Sequence, residues 1–240
     1  MSGPLLSASA AFVAKNSRKP PYAIEQSLRF NNGDSAHLHR TPSSAGSQTT
    51  FTLSVWVKSS VPSSGSEYFY ATHNGSRWNG ILRRSGNYDF GVDESGGSAP
   101  KVVTNAKLRD PSAWYHLVMA YDTTQATSTD RVKIWINGAL QSINTGAGSY
   151  PNQNHGSTFN RAAKHWIGAL DDTASVYYTK DFYLAEYHLL DGTAVTDADD
   201  FGEYDESGVW RPIRYTGTYG TNGFYLKFDP DATNGIGHDH

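Results

Sequence analysis

Apolar and polar residues alternate along many short stretches of the chain, and glycine, proline or asparagine interrupts most of them. In "FTLSVWVK", Phe51, Leu53, Val55 and Val57 share one face, with Thr52, Ser54, Trp56 and Lys58 on the other. "RVKIWI" sets Val132, Ile134 and Ile136 against Lys133 and Trp135, and Asn137-Gly138 then supplies the dipeptide that a two-residue hairpin turn prefers. Period-two runs of this kind predict strands with one buried face. "SLRF", "EYFYATH", "GILRR", "YDFGV" (after a Gly86-Asn87 turn), "WYHLVMAYD", "KHWIGA", "FYLAEYHLL" and "FYLKF" extend the set. Strict alternation in "FYLAEYHLL" places Ala185, Tyr187 and Leu189 opposite Leu184, Glu186 and His188. No stretch keeps the helical period for three turns. "VTDADDFGEYDESG" reads as an acidic surface loop with room for one helical turn capped by Thr196. The prediction is a single all-β sandwich of two antiparallel sheets, its core formed by the Phe51/Leu53/Val55/Val57 and Val132/Ile134/Ile136 sets.

Trp56 and Trp135 do not fit a two-layer sandwich, because both indoles fall on the polar side of their strands. Either a further layer covers that face, or the indoles form a platform for a ligand. A covering layer predicts that both are at least half buried. The start of the chain has neither period. Residues 1–24 carry Leu5, Leu6, Phe12 and Val13 with nothing to pack them against, then Lys15, Arg18, Lys19 and the stiff Pro20-Pro21 pair. They are expected to form an extended arm for assembly, with residues 25–240 as the sandwich and a loop-rich C-terminal extension. "LLSASAAFVA" has the apolar and small residues of a signal peptide but no basic stretch before them.

Charged residues are only 18% of the 240, which suits a turn-rich β protein. There is no cysteine, so disulfides, zinc–thiolate sites and thiol nucleophiles are excluded. A net charge of −3 leaves no electrostatic footprint for nucleic acid. No apolar run approaches the roughly 20 residues of a membrane helix, so no membrane insertion is expected.

"SLRFNNGDSAHLHR", "FTLSVWVK", "WYHLVMAYD", "RVKIWINGAL", "HWIGA" and "DFYLAEYHLLDG" occur in an order that resembles the laminin-G-like branch of the concanavalin A-like lectin/glucanase superfamily. The resemblance spans roughly residues 26 to 192 and implies a jelly-roll sandwich, one of its sheets curved and partly filled by loops. The block "DFYLAEYHLLDGTAVTDADDFGEYDESGVWRPIRYTGTYGTNGFYLKF" is similar in texture to a segment of marine bacteriophage tail and other virion proteins. It implies a virion location, with other virion proteins as partners.

The superfamily includes glucanases, whose E-x-D-x-x-E strand motif brings carboxyls together across a cleft; retaining cleavage needs them about 5–5.5 Å apart. "GEYDES" offers Glu203, Asp205 and Glu206, but Gly208 stands where the last carboxylate is needed. Glu186 and His188 form only a strand-face pair. No G-x-S-x-G, H-E-x-x-H, Walker or dinucleotide motif is present, so no catalytic residues are assigned. The His37/His39 and His238/His240 pairs lack a third ligand fixed by spacing. The resemblance implies calcium as a candidate at the sandwich rim, where Asp171 and Asp172 follow "HWIG". A sugar needs a planar aromatic beside amides or carboxylates, and loop aromatics suit that better than strand tryptophans. Trp78 with Asn79, and Tyr177 with Tyr178, are the carbohydrate-binding candidates.

These features combine into a non-enzymatic bacteriophage adhesin or tail-fibre component contacting host-surface glycan. It would work as a homo-oligomer, with a trimer favoured. A purely structural decoration or fibre protein binding only other subunits is the alternative, and a glycan hydrolase a third.

Overall fold

The computed structural model describes residues 22–59, 65–73, 78–84, 86–95, 99–171, 176–177 and 180–240. The first strands are β1 (Leu28–Phe30), β2 (Leu38–Arg40), β3 (Thr50–Ser59), β4 (Glu67–His73), β5 (Trp78–Arg83) and β6 (Phe90–Glu94). β7 (Lys101–Val103), β8 (Tyr115–Asp122), β9 (Val132–Ile136), β10 (Ala139–Leu140), β11 (His165–Ile167) and β12 (Leu170–Asp171) follow. The last are β13 (Val176–Tyr177), β14 (Phe182–Asp191), β15 (Gly202–Tyr204), β16 (Trp210–Pro212) and β17 (Phe224–Leu226). Among the described residues the only helical pieces are two 3-10 turns, Asn32–Asp34 and Ser128–Asp130.

Two antiparallel sheets form the sandwich. One is seven-stranded, in the order β1-β14-β3-β8-β9-β10, with β17 also on β14; the other is six-stranded, in the order β2-β11-β4-β5-β6-β7. The alternation read from β3 holds along its length: Phe51, Leu53, Val55 and Val57 are all buried in the layer between the sheets. Val132 and Ile134 join them, with Ile136 packed at the margin. Across the layer stand Phe69 and Tyr70 of β4, Ile81 of β5, and Phe90 and Val92 of β6. Burying each such side chain contributes roughly 1.5–3 kcal/mol, which is the main reason register is fixed here.

The predicted Asn137-Gly138 turn is present, with φ of 50° and 79°, so both residues take the left-handed conformation of a type I′ turn.

Two expectations fail. In β14 the alternation breaks between Ala185 and His188, where one extra residue is inserted opposite β3. Glu186 absorbs the bulge with a φ of 47°. Leu184, Tyr187 and Leu189 therefore share the core, while Ala185 joins the opposite face. The acidic loop after Thr196 also contains no helical turn. Thr196 bonds only its neighbour Asp197, and the chain turns once at Ala198–Phe201 before forming the β15–β16 hairpin. The arm expected over residues 1–24 lies outside the described residues as far as residue 21; its last residues, Tyr22 to Ile24, dock on the seven-stranded sheet.

Candidate functional site

The face of the seven-stranded sheet turned away from the main core is apolar as well, with Trp56, Val118, Ala120, Trp135, Ala185 and Leu190 along it. Residues 194–219 fold back over this face and press Val195, Ala198, Phe201 and Trp210 onto it. Trp56 and Trp135 are left only 9% and 4% exposed, so the covering layer is real and the two indoles belong to it.

Trp210 anchors that layer. Its ring lies near-parallel to His116 at 6.0 Å, and His116 in turn stacks on Trp56 at 5.0 Å. Gly138 and Gly202 flank the indole so closely that a Cβ on either would come within 2.4 Å of it. Gly138→Ala therefore meets both a left-handed backbone and an occupied space. We expect it to cost roughly 2–3 kcal/mol, read as a lower urea midpoint at unchanged slope.

The Trp210 N–H donates to His116 Nδ1 at 2.9 Å, so the imidazole proton sits on Nε2, which faces Ser54 Oγ at 2.9 Å. Burial, reinforced by neighbouring His188, pushes His116 down to about 3, and the ring stays neutral. A nucleophile's base needs a free lone pair towards the hydroxyl, and here Nε2 carries the proton instead. Ser54 is moreover fully buried. The pair is structural.

Beside this stack the bulge aims Glu186 at a ring of hydroxyls. Tyr22 and Tyr225 donate to its carboxylate at 2.7 and 2.8 Å, and His188 Nε2 lies 3.7 Å away. Burial alone would raise the Glu186 carboxyl; contacts from His188, Tyr22 and Tyr225 outweigh it and hold the group below the usual range. Burial pushes the Tyr22 hydroxyl up to about 12, which keeps it a donor at neutral pH. The Arg214 guanidinium sits 5.4 Å from the Tyr22 ring. These bonds strap residues 22–27 to the sheet.

Between the strap and the β15–β16 hairpin runs an open groove of about 1110 Å³, floored by Trp56 and Ala185. Trp114 and Tyr204 also line it, and they are 37% and 55% exposed. Tyr204 is held in place: its hydroxyl donates to Asn137 O at 2.8 Å and its ring meets Trp210 edge-on at 4.9 Å. Trp114 meets Tyr183 edge-on at 6.5 Å. On the hairpin, the Val209 N–H and the Arg211 guanidinium hold the Asp205 carboxyl below its usual range.

Those site residues proposed from sequence that are among the described residues lie elsewhere. Trp78 is on the outer side of the opposite sheet, half-buried and edge-on to Tyr68 at 6.4 Å. Asn79, next along β5, points inward; it is 1% exposed and donates to Ser157, so it presents nothing to a ligand. Tyr177 is placed only as backbone, paired with Leu170, and Tyr178 and Asp172 lie outside the described residues. Asp171 is half-buried in β12 opposite Val176. Calcium takes six to eight oxygens, and among the described residues no three acidic or histidine side chains converge. His37 and His39 pack at 5.0 and 5.2 Å from the Trp166 ring, as packing groups.

Residues 30–179 match the model of the concanavalin A-like lectin/glucanases superfamily. The chain belongs to this superfamily. Among solved structures it is similar to a heptameric SAP-like pentraxin from Limulus polyphemus, at 11% identity and a TM-score of 0.51, over 73% of this chain and 80% of that one. Domains LG4-5 of the mouse laminin α1 chain align over 86% of this chain and 48% of theirs, at 11% identity and a TM-score of 0.45. Trypanosoma rangeli sialidase, solved with 2,3-difluorosialic acid, aligns over 62% of this chain but 21% of its own, at 17% identity and a TM-score of 0.40. These likenesses are of fold alone. Among curated proteins, none matches the chain. The superfamily match ends at residue 179, so the hairpin wall of the groove belongs to the extension that follows it.

Proposed function

We propose that this lectin-type sandwich is a non-enzymatic glycan-binding module, with its site in the groove between the strap and the β15–β16 hairpin. The observation that carries the reading is the pair of exposed aromatics, Trp114 and Tyr204, the second held by Asn137 and Trp210, in one open groove with carboxylates and an amide. Sugar rings have apolar faces that stack on such rings and hydroxyls that bond planar polar groups. Hydrolysis is disfavoured, because a general acid needs a raised carboxyl. Asp205 is held down, and so is Glu186 beneath the groove, where two tyrosines occupy it.

Trp114→Ala should weaken retention on host-surface glycans roughly tenfold, the scale of one lost aromatic contact, without an appreciable drop in melting temperature. Trp78→Ala tests the sequence-based alternative on the opposite sheet. If Trp114→Ala leaves retention intact and Trp78→Ala removes it, the groove is not the site.

The place of this module is, on this reading, a bacteriophage virion, as an adhesin or tail-fibre component and as a homo-oligomer, a trimer by analogy with cyclic assemblies. Its support is the likeness of residues 181–228 to virion proteins. Antibody labelling of assembled particles in electron micrographs tests it; particles without label would contradict it.

A further inference from the structure

Lys58 stands two residues beyond Trp56 on the same side of β3, and the register of the sheet places three more side chains in its row. Lys58 pairs with Tyr183 of β14, and Tyr183 with Arg29 of β1. On the other side of β3 the ladder joins Val57 to Tyr115, so Trp114 falls beside Lys58. The residues flanking these in each strand pack in or against the main core, which turns the row outward. Arg29, Tyr183, Lys58 and Trp114 thus alternate cation and ring across four neighbouring strands. The Arg29 guanidinium lies 6.0 Å from the Tyr183 ring, and Tyr183 meets Trp114 edge-on at 6.5 Å. Trp114 also lines the groove, so the row continues the groove across the sheet.

Both cations are uncommitted. Neither Arg29 nor Lys58 makes an ion pair or a hydrogen bond with any described residue. Nearby carboxylates have partners of their own. Glu25 bonds Lys227 at 3.0 Å, and Asp181 accepts the Asn32 N–H at 2.8 Å. Asp110 accepts from the Ser112 N–H and hydroxyl at 2.8 and 2.6 Å. The residues outside the described set carry Lys15, Arg18, Lys19 and Arg77 but one acid, Asp172. Asp172 follows β12, which packs against β4 of the other sheet. Those residues therefore bring the row no counter-charge.

A sugar ring stacked on Trp114 or Tyr183 would hold its substituents beside these two cations. A neutral sugar gains the stacking alone, and an amino sugar brings an ammonium against like charge. A carboxylate or sulfate meets a guanidinium fork and an ammonium, neither with a competing partner. We infer that the row is the groove's selective subsite, and that it takes an acidic glycan, one with a carboxylate or sulfate on its sugar. Single-stranded nucleic acid also uses rings and cations, but two cations on a chain of net charge −3 make too small a footprint for it. The inference rests on the groove being the glycan site; it adds the ligand class and the residues that choose it.

Titration of the full chain at neutral pH with two matched pairs tests it: an oligogalacturonate and its methyl ester, and a sulfated galactan oligomer and its desulfated form. At about 20 mM salt at least one acidic oligomer should bind about tenfold tighter than its neutral partner, and the pair that does so tells carboxylate from sulfate. Salt at about 500 mM should narrow that ratio to about twofold. Arg29→Gln and Lys58→Gln should each narrow it about threefold and together abolish it, with neutral-oligomer binding and the urea midpoint unchanged. Trp114→Ala should weaken acidic and neutral oligomers alike. An oligoglutamate and an oligodeoxynucleotide of the same charge should bind more weakly than the acidic glycan; if either binds as tightly, the ligand class is overturned. No acidic preference in either pair, or a preference that survives the double substitution, also overturns it, while Trp114→Ala still reports on the groove. If Trp114→Ala changes nothing although the double substitution abolishes the preference, the row is no part of the groove, and the inference falls with the groove reading.

Discussion

Trp210→Ala should lower stability by about 3–5 kcal/mol and abolish glycan retention together, although Trp210 lies far along the chain from the main core. The indole is buried in the second apolar layer, wedged between Gly138 and Gly202, and stacked over His116. Truncation removes its contacts with these groups and the edge of Tyr204, and it leaves His116 Nδ1 without its donor. An unsatisfied buried acceptor costs about 1–3 kcal/mol by itself. Trp210→Phe keeps part of the packing but loses the N–H and one ring of the indole, so it should cost less, about 1–3 kcal/mol. Urea unfolding measures both. A loss below about 1 kcal/mol in Trp210→Ala would mean that the hairpin is not held as described.

Acid should begin to destabilise the protein near pH 6.5, well above the pH that protonates ordinary carboxylates. His116 and His165 are both buried, and each is bonded as a neutral ring. His165 Nδ1 donates to Ala163 O while its Nε2 accepts from the Asn160 N–H. Burial pushes His165 down to about 4 and His116 to about 3. Their folded values lie below the unfolded value near 6.5, so above about pH 6.5 neither state binds the proton and stability is flat. Below it the unfolded chain takes up protons that the folded chain refuses. Stability then falls by about 1.4 kcal/mol per pH unit for each histidine, until the folded values are reached. Between pH 6.5 and 4.5 the two together remove on the order of 5 kcal/mol, comparable with the whole stability of many domains. His188, also lowered by burial, acts in the same direction. Asp89, whose bonds from Arg84 and Lys107 outweigh its burial, adds its loss at lower pH, as does Glu186. Urea unfolding at stepped pH should show this slope, and constant stability from pH 7 to pH 5 would contradict it.

Alternation made the core faces of β3 and β9 legible, and the odd indoles on those strands correctly announced a further layer. The parity of β14 was not legible, because nothing in "FYLAEYHLL" marks a bulge. The left-handed residue is a glutamate, held by tyrosine hydroxyls 164 and 39 residues away. The β15–β16 hairpin hid because its strands are three residues each and sit in acidic sequence. The aromatic series Phe201, Tyr204, Trp210, Tyr215 and Tyr219 was its one signal, since solvated loops seldom need so many rings. For the site, adjacent Trp78 and Asn79 could not both face a ligand once they lay on one strand. Tyr22, Trp114 and Tyr204 come from three distant segments, and no local pattern relates them. The superfamily resemblance supplied the sandwich, but it stops short of the extension that builds the groove's wall.

The most direct test of the groove is hydrogen–deuterium exchange of the full chain with and without a saturating amount of the host-surface oligosaccharide that it retains best. Protection should appear in residues 22–27, around Trp114 and in residues 202–212, with β5, β11 and β12 unchanged. Protection confined to β5, β11 and β12, or none in the strap and hairpin, would contradict the account.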